Sequence, residues 1–276
     1  MRRLACAARR AGVGLPRGLA TGSGRGIAAV ADEALAMRVR SEVGDFGKLA
    51  GGIWARARDQ RRTELDAMGD AAVANAVKAV AIANVFASQE GAPGVAFVAS
   101  MLTGDEDRRC LRLSVSPRPP GAEAPPSDFS HGGIYVPADH RAAGARGAAS
   151  ASSRTAKTGE APRTATPTEL SKTVLGQWLR FAAPELHTGM RSEERAPGPR
   201  PARQKAPFLL SMGPLPLSRA AKALAFASSD LASARHLAEA PAFAVVPCFW
   251  EKKGKDPRTG LDKVSKVVVL WLARAQ

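Results

Sequence analysis

The 276 residues predict two tandem α/β domains, each a β-α-β-α-β-β unit with its helices on one face of a small mixed sheet. Three observations carry that expectation. Strand-like and helix-like stretches alternate in this order between residues 34 and 118, the order recurs after residue 168, and a Pro-, Gly-, Ala- and Ser-rich stretch separates the two.

Taken in order, Ala34 to Arg40 alternates apolar and basic residues, as a half-buried strand does. Phe46 to Gln60 places Leu49, Ile53 and Trp54 at helical spacing, with Asp45 positioned to cap it. Thr63 to Gly69 is a short strand that stops at glycine. Asp70 is then expected to cap a helix running to about Ala87; its β-branched residues favour a strand, but the run is too long for one. After the Gly91-Ala92-Pro93-Gly94 break, Val95 to Met101 and Cys110 to Ser116 read as two strands, joined by the acidic turn Asp105-Glu106-Asp107.

Residues 119–160 read as a flexible linker, with Ala142 to Thr158 holding almost nothing to bury. The second unit is expected over 161–276. Its first strand has two candidates, 133–136 and 161–166. A helix over Glu169 to Ala183, an inserted loop at about 187–205, a strand over 208–213, a helix to about Leu237 and strands over 243–249 and 264–272 follow. The repeat is visible residue by residue. Met68 to Asn84 lies over Met212 to Ser228 at an offset of 144 and shares the Met, the Gly, the Lys and four alanines. At an offset of 124, Lys48, Gly52, Trp54 and Arg56 lie over Lys172, Gly176, Trp178 and Arg180. Both tryptophans read as core residues.

These residues resemble a known family. Glu64 to Ala83 and Leu113 to Arg118 are similar to the stage V sporulation protein S family, whose fold resembles Alba, a chromatin and RNA-binding protein. Residues 168–276 resemble the family more loosely, through the Lys222 helix and the last strand. The resemblance implies an Alba-like module that dimerises, binds nucleic acid and has no known catalysis. The sequence departs from that pattern in places. Alba-like proteins usually present lysines after the first strand, where this chain has Ser41-Glu42-Val43-Gly44-Asp45, and the hairpin of the first copy is acidic. In the second copy the matching hairpin, Glu251 to Lys263, is basic.

Charge follows the same division. Residues 1–30 carry six arginines and no acid, residues 31–118 carry 12 basic and 12 acidic side chains, and residues 206–276 carry 10 and 5. The candidate nucleic-acid-binding residues are Lys48, Asn75 and Lys78 in the first copy, and Lys172, Arg219, Lys222, Lys252, Lys253, Lys255 and Arg258 in the second. Asn75 and Lys78, like Arg219 and Lys222, are three residues apart and so form a narrow polar stripe on an apolar helix. Such a stripe can hold a phosphate, or its lysine can simply run out along apolar surface to solvent. With no exposed aromatic evident on a strand, backbone and shape recognition of RNA or DNA is expected in preference to base readout.

No nucleotide fingerprint, nucleophile elbow or metal-ligand spacing is found, so neither an enzyme nor a cofactor is expected. The three cysteines fit no disulfide framework. No apolar run is read as reaching the roughly 20 residues that span a bilayer, so no membrane partner is expected. Partners are instead nucleic acid and a second copy of the fold, as a homo-oligomer or an intramolecular pseudo-dimer. The alternative is a protein-interaction scaffold that uses the same fold to assemble. Residues 1–26 are arginine-rich and acid-free, which is the composition of an organellar transit peptide, mitochondrial before plastid. Residues 1–40 fused to a fluorescent protein are therefore expected to give an organellar signal, and diffuse cytosolic fluorescence would contradict this.

Overall fold

The computed structural model describes residues 35–42, 45–103, 109–118, 123–130, 133–137, 166–183, 206–234, 237, 240–255 and 259–275. The transit segment expected over 1–30, the stretch 142–158, the loop expected at about 187–205 and the turn expected at Asp105–Asp107 lie outside the described residues.

The first half consists of β1 (Leu35–Val39), α1 (Phe46–Arg58), β2 (Thr63–Ala67), α2 (Asp70–Gln89), β3 (Val95–Thr103) and β4 (Arg109–Pro117). Asp45 caps α1 as expected, its Oδ1 accepting from the N–H groups of Gly47 at 3.0 Å and Lys48 at 3.3 Å. Ala50, Ile53, Trp54 and Ala57 form the buried face of α1 at helical spacing. On β2 and β4, burial alternates with the strand period, so Leu65, Leu111, Leu113 and Val115 face the helices.

The second half repeats the order as β5 (Ile134–Val136), α3 (Pro167–Ala182), β6 (Phe208–Ser211), α4 (Pro214–Ser233), β7 (Phe243–Lys255) and β8 (Asp262–Arg274). Thr166 and Glu169 close a capping box on α3. Each central helix starts after a glycine with positive φ, Gly69 at 82° and Gly213 at 90°, where a side chain would be strained. This accounts for the Met-Gly pair in both copies of the repeat.

Several expectations need correction. Of the two candidates for the missing strand, 133–136 supplies it: β5 pairs parallel with β6 as β1 does with β2. The second half thus begins within the range read as linker, because Pro- and Gly-rich flanks obscure a strand of three residues. Residues 123–130 of that range also pack: Phe129 is buried edge-on against Phe208, with ring centroids 5.0 Å apart. Asp70 does not cap α2; Gly69 occupies that position and the Asp70 carboxylate reaches the other half instead. Finally, α2 has 20 residues and holds an 18-residue stretch with a mean hydropathy of 1.5, which is long and apolar enough to cross a membrane. Here 61% of that apolar stretch is buried inside the fold.

All eight described strands join one mixed sheet in the order β1-β2-β4-β3-β7-β8-β6-β5. The halves meet where β3 and β7 pair antiparallel, Phe97 opposite Val245. Registers on either side make these two residues equivalent: Phe97 lies opposite Val115 and Val245 opposite Leu272, at matching places in β4 and β8. The repeat is therefore related by an approximate two-fold axis through this pair. Both residues are fully buried. Each central helix packs on the inner strand of the other half, α2 on β7 and α4 on β3. The four helices and one face of the sheet share the main core, while a smaller cluster (Ala96, Phe129, Phe208, Val246, Val269 and Trp271) occupies the opposite face. The architecture is a mixed two-layer α/β fold, consistent with an Alba-like one.

Asn84 fastens the two halves. Its Nδ2 donates to the carbonyl of Pro247 at 2.9 Å, and its Oδ1 accepts from the N–H of Val95 at 2.7 Å. Proline has no N–H of its own to offer a neighbouring strand, so the ladder weakens just where Asn84 bridges it. Gly94 makes room for this: a Cβ there would lie 2.5 Å from Asn84 Oδ1. Asn84→Ala strands both backbone groups and is expected to cost about 1–3 kcal/mol, measured as a lower denaturant midpoint with unchanged slope.

Candidate nucleic-acid interface

β7 and β8 run on past the body of the sheet as a two-stranded arm. Their pairing continues to Lys255 opposite Asp262, so the segment read as a basic turn after Phe249 is largely strand. Residues 251–255 and 259–264 are exposed. Among the described residues of the arm, Lys252, Lys253, Lys255, Lys263 and Lys266 outnumber Glu251 and Asp262 by five to two. No ion pair with a described residue engages Lys252, Lys253 or Lys255. Successive side chains of a strand point to opposite faces, so Lys252 lies on one face of the arm and Lys253 and Lys255 on the other. Arg258 lies outside the described residues.

The helix lysines divide differently from the sequence expectation. Lys222 Nζ is 2.7 Å from Asp70 Oδ1, and the Ser218 hydroxyl donates to the same oxygen at 2.7 Å. Burial works to raise the Asp70 pKa, but hydrogen bonds from Lys222 and Ser218 and the charges of Lys222 and Arg219 outweigh it, holding the carboxyl below its ordinary value. Lys222 is thus committed to an internal contact across the halves, and Arg219 lies in the same field. At the equivalent place in the other half, offset by 144, Asp70 is replaced by Pro214 and Ser218 by Ala74. Lys78, half-buried, has no carboxylate counterpart there.

Asn75 is not part of a phosphate site. It is 7% exposed, and its Nδ2 donates to the carbonyls of Arg40 at 3.2 Å and Ser41 at 3.0 Å, pinning the segment after β1. Lys48 is exposed and within 3.8 Å of Asp45; Lys172 is exposed on α3. Trp54 and Trp178 are core residues, as read: Trp54 Nε1 donates to Glu90 at 2.9 Å and Trp178 Nε1 to the Pro241 carbonyl at 2.8 Å. The structure therefore gathers Lys252, Lys253 and Lys255 on one arm and leaves the other candidates dispersed.

The sheet face away from the helices differs sharply between the halves. In the first half Arg112 is clamped by Glu64 at 2.7 Å and by Asp66 at 2.7 and 2.8 Å, so these three charges are paired. In the second half the same face carries aromatic and aliphatic residues, with Tyr135 56% exposed and Trp250 half-buried. Sequence reading missed both aromatics. The alternation Val246-Cys248-Trp250-Lys252 was a usable signal, lost because the strand was ended at Phe249. Cys110 and Cys248 are free thiols, and burial pushes Cys248 up to about 11. At neutral pH that thiol stays protonated and packs as an apolar group.

Residues 33–118 match the family model described as Stage V sporulation protein S (SpoVS). No curated protein matches the chain.

The Asp70–Lys222 pair has a pH signature. A carboxyl whose folded pKa is depressed contributes stability above its unfolded pKa and loses it as pH falls through the folded value. Because both side chains are partly exposed, 31% and 43%, the contribution is screened to about 0.2–1 kcal/mol. Asp70→Asn is expected to be less stable than wild type by this amount at neutral pH. The gap should close below the ordinary carboxylate value of about 3.9, followed by thermal melts across pH.

Proposed function

We propose that the protein binds nucleic acid, RNA or DNA, mainly through the phosphate backbone, as a non-enzymatic regulatory or architectural protein. The observation that carries this reading is the arm of β7 and β8, with Lys252, Lys253 and Lys255 exposed and without ion pairs to described residues. A flexible row of cations gains affinity by releasing counterions from the phosphate chain. The match of residues 33–118 to the stage V sporulation protein S family supports a regulatory role, and the repeated element order supports reading the second half as a divergent copy of the same module. In this reading the two halves act as an intramolecular pseudo-dimer, and the second half makes the grip. The paired charges of the first half favour a complementary role there in assembly with other proteins.

Lys78 and the exposed Lys48 and Lys172 add weaker backbone contacts, whereas Lys222 and Asn75 hold the fold. Replacing Lys252, Lys253 and Lys255 together by alanine is expected to weaken binding roughly equally for all sequences and to flatten the slope of log affinity against log salt by about 2–3. Fluorescence anisotropy at two or more salt concentrations measures both. Unchanged affinity in the triple variant, or no binding by wild type at low salt, would overturn the proposal.

A further inference from the structure

Beyond the arm, the open sheet face of the second half has a feature that backbone recognition does not need. β8 pairs with β7 and β6, and β6 with β5, so Cys248, Val269, Leu210 and Tyr135 lie side by side across four strands on the face away from the helices. Trp250, opposite Val267, stands one pleat further along β7 toward the arm, and Lys252 one pleat beyond it. Phe129 lies edge-on to Trp250, with centroids 6.4 Å apart and planes at 71°. Between them opens a cavity of about 390 Å³, lined by Phe129, Leu210 and Trp250 and by Lys252, Lys253 and Glu251 at its charged side. Tyr135 and Trp250 are separated by roughly three strand spacings, on the order of 15 Å.

We infer that this face is a stacking platform for single-stranded nucleic acid, with one base seated in the cavity against Trp250, a second on Tyr135, and the backbone continuing past Trp250 onto Lys252 and Lys253 at the charged side of the cavity. The inference rests on the nucleic-acid reading above and specifies it. Two observations select this occupant. An exposed tyrosine and a half-buried tryptophan on a sheet offer flat apolar surface, and the neighbouring cations are not committed to described acids. The acid in the cavity, Glu251, faces Lys266 in the strand register, so the local balance stays positive. A duplex keeps its bases stacked inside and cannot use such a face; an unpaired strand can splay them onto it. The same face of the first half has Arg112 tied to Glu64 and Asp66, and the aromatic residue of β1 to β4, Phe97, is buried in the core on the helix side, so it offers no equivalent.

Intrinsic fluorescence gives a direct readout. Trp54, Trp178 and Trp271 are buried at 7%, 0% and 1% exposure, which leaves Trp250 as the tryptophan able to meet a ligand. Titrating the full chain with single-stranded oligo(U) or oligo(dT) should quench its fluorescence, and a duplex of equal length should quench far less. Trp250→Ala is expected to abolish the quench and weaken single-strand binding about 5- to 100-fold with little effect on duplex binding. Trp250→Phe should restore most of the affinity. Tyr135→Ala, at an exposed position, should weaken single-strand binding without shifting the melting temperature, which guards against a folding defect in the tryptophan variant. Equal quenching by oligo(U) and oligo(dT) identifies the bases as the ligand; a preference for oligo(U) adds recognition of the 2′-hydroxyl. If Trp250→Ala and Tyr135→Ala bind single strands as wild type does while the triple lysine variant fails, the platform is refuted and the backbone reading stands. If no nucleic acid binds at low salt, both fall.

Discussion

β3 and β7 pair antiparallel at Phe97 and Val245, and this seam governs the rest of the molecule. Each half alone would end in an exposed inner strand, a ready template for unwanted pairing. Joined, the two inner strands cover one another, and only the short β1 and β5 remain at the sheet edges. The seam also lets α2 lie on β7 and α4 on β3, so each half completes its core with strands of the other. The alanines of the repeat make this possible. Ala76, Ala79, Ala83 and their equivalents Ala220, Ala223 and Ala227 are fully buried, and small side chains let the helices approach strand and neighbour closely.

Two halves of one chain, unlike two identical subunits, are free to differ. A homodimer must carry every charge twice, whereas here Asp70 has a carboxylate and its equivalent Pro214 has none. The resulting contact to Lys222 and Ser218 exists once, on one side of the approximate axis. The open face has separated in the same way. One half is a polar ladder of paired charges; the other holds aromatics and leads into a cationic arm. One half pairs the charges of Arg112, Glu64 and Asp66, and the other offers both the charge and the flat apolar surface that the proposed nucleic-acid partner requires.

Element order was legible because the patterns were strong: apolar-basic alternation over Ala34 to Arg40, helical spacing of Leu49, Ile53 and Trp54, and glycines before both central helices. The tryptophan placements were legible too, since recurrence at one helical position argues for packing. Three things were not. β5 is too short to show a period, and only pairing with β6 reveals it. The arm was read as a turn because lysines and a glycine resemble loop composition, while the cross-strand ladder that keeps Glu251 to Lys255 extended is a long-range property. The roles of Asp70, Asn75 and Lys222 depend on partners 34 to 152 residues away, which local spacing does not encode. The stripe argument assigned phosphate contacts to Asn75 and Lys222, which are spent on holding the fold.

The central claim is that the second half makes the grip, and amide hydrogen exchange of the full chain with and without a single-stranded oligonucleotide tests it most directly. The account predicts slowed exchange over 248–255 and 262–269, with β2 and β4 of the first half unchanged. Protection confined to residues 63–67 and 109–117, or none at all at low salt, would contradict it.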